Sequence, residues 1–170
     1  MGGRAKGLLL APDGVSIVER WRRLLEDAGL DVVLVGRRAE YAPLGLPTLD
    51  DAQPDSGPLG GLVALLATWP QVLAVACDMP HVSPALLRRL LDESPGAALL
   101  APRIDGVWQP LFARYDADRV LPAARKRLAG GRLALQGLLD EVGATALSLS
   151  PTEEAELVDW DHPEDVRRDE

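Results

Sequence analysis

Three short, almost unbroken apolar runs constrain this chain most: DVVLVG (31–36), QVLAVAC (71–77) and AALLAP (97–102). A strand with one face in water alternates apolar and polar side chains. A run without alternation belongs to a strand covered on both faces. Stretches of helical period lie between the runs. From Val15, the positions Val18, Trp21, Leu24, Leu25 and Ala28 recur at helical spacing, and Gly29 is a natural C-terminal stop. PLGGLVALLATW (58–69) predicts a second helix. SPALLRRLLDE (83–93) predicts a third, with Ser83 as N-cap and Pro84 in the first turn.

Further along, VWQPLFARY (107–115) predicts a strand in which Pro110 marks an edge position or a bulge. Helices are expected over 117–129 and 133–143, and a short strand at TALSLS (145–150). The tail HPEDVRRDE (162–170) begins like a helix, with Pro163 early and acids near the N-terminus. Buried strands alternating with amphipathic helices predict an α/β fold with a parallel sheet covered on both faces. At 170 residues, without an internal repeat or an obvious linker, the expected organisation is one domain over 1–170.

Charge and cysteine content narrow the functional classes. A net charge of −8 argues against a general nucleic-acid surface, which should be basic. It leaves room for a small anionic ligand, which needs only local positive charge. The one cysteine, Cys77, cannot form an internal disulfide and fits a reducing compartment. No stretch approaches the roughly 20 apolar residues of a spanning helix, and no signal-peptide pattern leads the chain. The expectation is a cytoplasmic protein without a membrane partner.

In an open α/β sheet, ligands bind outside the carboxyl ends of the strands, so the stretches following the strands carry the chemistry. CDMPHVSP follows the run 71–77. Asp78 there either caps a turn or offers a carboxylate to Mg²⁺, which commonly takes one or two protein carboxylates together with phosphate. DDAQPDSGPLGGL precedes the helix at 58–69, with Asp50, Asp51 and Asp55 at its entrance. Gly57 and Pro58 read as a sharp turn, and Gly60 and Gly61 permit close backbone approach. Its acids could accept hydrogen bonds from base or ribose and its amides could meet phosphate, or the stretch is a solvated turn with a glycine pair for helix packing. MGGRAKG (1–7) offers backbone amides with Arg4 and Lys6, a phosphate-type loop or simply a solvated basic terminus.

Together and in this order, MGGRAKGLLL, DxxPDxGPLGGL and CDMP resemble the molybdenum cofactor guanylyltransferases, the MobA-like nucleotidyltransferases. WQPLFARY (108–115) resembles that family's xxPLxAxY segment, and DWDHPEDV (159–166) its NxNTPEDL. GPLGGL separates the chain from sister cytidylyltransferases acting on the same pterin. The resemblance implies a Rossmann-like three-layer α/β/α nucleotidyltransferase fold with a mostly parallel sheet. It implies GTP and molybdopterin as substrates, Mg²⁺ as cofactor, transfer of GMP to the pterin phosphate and release of pyrophosphate. Other proteins of the molybdenum cofactor pathway are further partners it leaves open.

Matched by motif, Lys6 and Asp78 would be catalytic, with Lys6 on the GTP phosphates and Asp78 on Mg²⁺. Gly2, Gly3, Lys6, Asp51, Gly57, Pro58, Leu59, Gly60 and Asp78 would bind the nucleotide. His81 and His162 need no catalytic role, because the attacking phosphate is already ionised at neutral pH.

The chain departs from the family in two places. Asp159 and Asp161 stand where the family has Asn, and His162 where it has Thr. Asn donates and accepts hydrogen bonds whereas ionised Asp only accepts. Asp161 is therefore a candidate second Mg²⁺ ligand that could equally repel the acceptor phosphate. The family also begins with a strand and loop of the form LAGGxSxR immediately before the Met-Gly-Gly, central in the sheet. On that pattern Met1 falls at an internal position, and the native protein is expected to be longer, with the chain as written poorly active. Two other readings remain open: transfer from CTP or to another phosphorylated acceptor, and a non-catalytic relative that binds nucleotide or cofactor.

Overall fold

The structure is a computed structural model and describes residues 6–36 and 39–160. In chain order it contains α1 (Ile17–Asp27), β1 (Leu34–Val35), β2 (Thr48–Leu49), α2 (Gly57–Thr68), β3 (Gln71–Val75), α3 (Pro84–Asp92) and β4 (Leu99–Ile104). These are followed by β5 (Val107–Trp108), β6 (Phe112–Asp116), α4 (Ala117–Ala129), α5 (Leu135–Val142), β7 (Thr145–Leu147) and α6 (Pro151–Glu156). Short 3₁₀ turns lie at Lys6–Leu8 and Ala39–Leu44.

Side-chain caps define most of the helix starts. Ser16 Oγ accepts from the Glu19 amide at 3.4 Å to open α1, and Ser83 Oγ from the Leu86 amide at 3.1 Å to open α3. Asp116 does the same for α4 through the Arg119 amide at 3.3 Å. Helix α6 carries a full capping box between Ser150 and Glu153. That S-x-x-E signal in SPTE marks a helix start that the expectation of a strand over 145–150 leaves out; the strand itself is only Thr145–Leu147. The expected tail helix at 162–170 lies outside the described residues.

The principal sheet runs β3-β6-β4-β5, with β7 paired to β4. Its ladders β3–β6, β4–β6 and β4–β5 are antiparallel, and only β4–β7 is parallel. The expected mostly parallel sheet is therefore corrected to a mixed one. Continuous apolar runs report coverage on both faces, and coverage says nothing about strand direction. The β4–β5 and β4–β6 pairs arise from short returns, whereas β3–β6 forms because β6 inserts antiparallel between β3 and β4, which are themselves joined through α3. Asp105 (φ 49°) and Gly106 (φ 81°) form the two-residue turn joining β4 to β5, a geometry that Asp-Gly favours. The expected strand 107–115 is divided at Pro110 into β5 and β6.

β1 and β2 form a separate parallel pair, with Leu34 opposite Thr48 and Val35 opposite Leu49. Among the described residues no ladder joins this pair to β3. The run at 31–36 was expected to be a fully buried strand. Leu34–Val35 alone of that run forms a strand, with Leu34 half-buried and Val35 exposed; among the described residues its one strand neighbour is β2.

Helices cover both faces of the principal sheet. On one face α2, α4 and α5 bury Leu59, Leu62, Leu66, Val120, Leu138 and Leu139 against Ala74, Leu99 and Tyr115. On the other, α1 and α3 bury Ile17, Trp21, Leu86, Leu87 and Leu90 against Leu100, Phe112 and Leu147. The consecutive Leu99 and Leu100 serve opposite faces, as strand alternation requires. The expected three layers are present.

Candidate active site

β3 ends at Val75, and the Ala76 amide continues its pairing by donating to Leu111 O at 2.8 Å. Cys77 and Asp78 then leave the sheet. Lys6 arrives from the other end of the chain on its 3₁₀ turn, and its Nζ lies 3.4 Å from Asp78 Oδ2. Both side chains reach solvent, at 33% for Lys6 and 22% for Asp78. An ion pair this exposed contributes roughly 0–1 kcal/mol to stability. The stability of this contact therefore does not account for placing an ammonium and a carboxylate together at a strand end.

Beneath the pair, their chain neighbours meet a third residue. The Tyr41 hydroxyl, from the turn that follows β1, accepts from the Gly7 amide at 3.2 Å. It also lies 3.7 Å from Cys77 Sγ, within the reach of a weak sulfur hydrogen bond. Through these contacts the segment following β1 meets the carboxyl end of β3. Tyr41 also forms a wall of a cavity of about 440 Å³ lined by Leu34, Gly36, Ala39, Ala42, Leu46 and Thr48. Sequence reasoning missed Tyr41, because nothing in AEYAPLG distinguishes it from a surface turn.

The tail reaches the same place. The Trp160 amide donates to Asp78 O at 2.9 Å. Its indole is buried and meets the His81 ring edge-on at 5.6 Å between centroids. Glu156 Oε2 accepts from the Ser83 amide at 2.8 Å, so residues 156–160 lie across the loop that follows Asp78. Trp160, from the DWD stretch read only by resemblance, is thereby tied to the strand end. Asp159 is exposed. Asp161, the candidate second ligand, lies outside the described residues, as do His162, Gly2, Gly3 and Arg4.

The GPLGGL stretch divides into two parts. Gly57 and Pro58 are exposed at the start of α2, and Asp55 (φ 56°) and Gly57 (φ 57°) take left-handed backbone to make the turn. Ser56 is buried, and its hydroxyl donates to Gln53 O, closing that turn from inside. Leu59, Gly60 and Gly61 are buried. A Cβ on Gly60 would come 1.8 Å from Ser56 Oγ. One on Gly61 would come 2.6 Å from Val35 Cγ1 and 3.1 Å from Asp51 Oδ1. The glycine pair thus lets α2 pack against the Ser56 turn and the β1–β2 pair. Asp51 follows β2 and packs beside Gly61, with its Oδ1 in the space that a Cβ there would need. Lys6 and Asp78 are brought together directly; Asp51, Gly57 and Pro58 form a second group around the start of α2.

This arrangement defines the class: an α/β protein with a cation, a carboxylate and a glycine-rich helix entrance at strand ends, as nucleotidyltransferases use. Residues 1–142 match the family model described as the MobA-like NTP transferase domain, and the chain belongs to that family. A molybdenum cofactor guanylyltransferase of Xanthomonas euvesicatoria is 32% identical over 178 residues, spanning 98% of this chain and 89% of that protein. A probable molybdenum cofactor guanylyltransferase of Pelotomaculum thermopropionicum is 34% identical over 123 residues, spanning 68% of this chain and 60% of its own length. Among solved structures, the molybdopterin-guanine dinucleotide biosynthesis protein A of Archaeoglobus fulgidus superposes with a TM-score of 0.78 at 22% identity. That superposition covers 99% of this chain and 90% of the other, and it shows that the two share a fold. The α/β nucleotidyltransferase fold expected from the motifs is the one observed.

Proposed function

We propose that this chain transfers GMP from GTP to the terminal phosphate of molybdopterin, forming a guanine dinucleotide and releasing pyrophosphate. The observation that carries the proposal is the Lys6–Asp78 pair at the carboxyl end of β3, in a chain of this family. A phosphate oxygen of the acceptor attacks the α-phosphorus of GTP. A new P–O bond forms there while the bond from the α-phosphorus to the bridging oxygen breaks, and the electron pair leaves with pyrophosphate. The acceptor is already ionised, so the protein supplies position and charge neutralisation rather than a general base.

Lys6 is the cation for the phosphates, its ammonium balancing charge that builds on the leaving pyrophosphate. Asp51, Gly57 and Pro58 are the candidates to hold the guanosine. Leu59 and Gly60 serve it from below, by fixing the loop. Trp160 holds the end of the described chain against Asp78, and this end is proposed to face the acceptor.

The protein's own donors fit Mg²⁺ only in part. Among the described residues no group of three or more His, Cys, Asp or Glu could hold a metal ion. A single carboxylate beside an ammonium suits an ion that arrives already bound to a triphosphate. Asp78 is the residue that would receive it, and Asp161, next in sequence after Trp160, is proposed as the second carboxylate. Such an ion would supply charge neutralisation across the phosphates. No helix among the described residues is long and apolar enough to cross a membrane.

The test is pyrophosphate release by the purified protein with molybdopterin, Mg²⁺ and either GTP or CTP. Release that requires the acceptor and GTP supports the reading. Release with CTP alone moves the protein to the cytidylyl reaction, and binding without release to a non-catalytic role.

A further inference from the structure

We propose that Tyr41 is a positioning residue that fixes Lys6 against Asp78 by clamping the residue next to each of them. The assignment rests on the proposed role of Lys6 and Asp78 as substrate-facing groups, and it adds a residue that no motif singles out.

The geometry is specific. Gly7, Tyr41 and Cys77 come from three segments, 34 positions apart for Gly7 and Tyr41 and 36 for Tyr41 and Cys77. The Tyr41 hydroxyl accepts the Gly7 amide at 3.2 Å and stands 3.7 Å from the Cys77 sulfur. Gly7 follows Lys6, and Cys77 precedes Asp78, so one hydroxyl touches the backbone neighbour of the ammonium and the side-chain neighbour of the carboxylate. No side chain fits between them. A Cβ on Gly7 would come 2.9 Å from the Tyr41 hydroxyl and 3.3 Å from Cys77 Cβ.

The Lys6–Asp78 contact gains from this support. At 3.4 Å and with both groups reaching solvent, the pair is too weak to order a flexible four-carbon stem by itself. Anchoring the Gly7 amide beside Lys6 and the Cys77 side chain beside Asp78 reduces the freedom that must be lost when substrate arrives, which is how a residue outside the reacting atoms contributes to rate.

Two lysines make the idea directly readable, because Lys6 and Lys126 are the only ones in the chain and Lys126 is exposed on α4. Competitive acylation of the full chain with acetic anhydride, followed by peptide mapping, gives the Lys6 to Lys126 labelling ratio. Tyr41→Phe keeps the ring and removes the hydroxyl. It is expected to raise that ratio several-fold, to leave the melting temperature near wild type, and to lower kcat for GMP transfer on the order of tenfold with KM for GTP within about twofold. Gly7→Ala, which drives the hydroxyl away from the other side, is expected to raise the ratio as well.

A ratio unchanged from wild type in both variants overturns the assignment, whatever happens to turnover. Labelling needs no catalysis, so it separates the two claims. A raised ratio in a chain that transfers no GMP retains the clamp and removes the proposed reaction.

Discussion

Lys6 Nζ and Asp78 Oδ2, 72 positions apart in sequence, lie 3.4 Å from one another at the end of β3. The pair binds the two ends of the family's motif series into one place. On the proposed reading the ammonium turns to the phosphates when GTP arrives, and the carboxylate is released toward a cation that accompanies them.

Asp78→Asn keeps the size of the side chain and removes its charge. Activity dependent on Mg²⁺ is expected to fall by on the order of 10²-fold or more, while the circular dichroism spectrum and melting temperature stay near wild type. A variant that keeps its turnover would remove Asp78 from the site.

Gly61→Ala tests the packing of α2. The added methyl would come 2.6 Å from Val35 Cγ1 and 3.1 Å from Asp51 Oδ1, so β1 or Asp51 must move. Overpacking of this kind costs typically about 1–3 kcal/mol, to be read as a lower denaturation midpoint. If Asp51 holds guanosine, KM for GTP rises in the same variant. A midpoint equal to wild type would show that the glycine is not required for packing.

The legibility of the chain follows the kind of information each residue carries. Helix limits were readable where a cap or stop is local: Ser83 and Pro84 fix the start of α3, and the span expected for α4, 117–129, is the one observed. Strand direction was not readable, because Leu99, Leu100 and Ala101 show burial on both faces whether a neighbour runs parallel or antiparallel. That Lys6 and Asp78 meet was not legible from either motif alone, and their proposed roles rest on the motifs. Tyr41 was not legible, because its role comes from contacts with Gly7 and Cys77 that only the folded chain assembles. Gly60 was read as a binding residue and turns out to be buried in packing, since a glycine that lets a ligand approach looks the same in sequence as one that lets a helix approach.

Acid stability should reflect two carboxylates. Glu153 is lowered from an ordinary 4.5 to about 2, chiefly by the Ser150 amide and then by the Arg89 guanidinium. Glu19 is likewise lowered to about 2, chiefly by Arg22. A carboxyl whose folded value is depressed contributes stability that is fully present above its unfolded value and is lost as pH falls through the folded one. The expected loss therefore runs from about pH 4.5 down to about 2. Glu153→Gln should flatten that part of the melting-temperature profile. An identical slope in the variant would contradict the assignment to Glu153.

Trp160→Ala removes a buried indole from beside His81 and loosens the strap whose amide holds Asp78 O. A large-to-small change of this kind costs about 3–5 kcal/mol. The Trp160→Phe variant retains an aromatic anchor and the amide, and is expected to recover most of both stability and activity. Loss of activity in Trp160→Phe at near-normal stability would mean that the indole itself contacts substrate.

The most direct measurement of the central claim is acceptor-dependent pyrophosphate release, followed together with mass-spectrometric detection of the dinucleotide product. With GTP, Mg²⁺ and molybdopterin the account predicts pyrophosphate and guanine dinucleotide in equal amounts from the wild-type chain, even at the low rate expected of it, and neither from Lys6→Gln/Asp78→Asn. Equal release from the wild type and that double variant would contradict it, because the ion pair at the end of β3 would then have no part in the reaction.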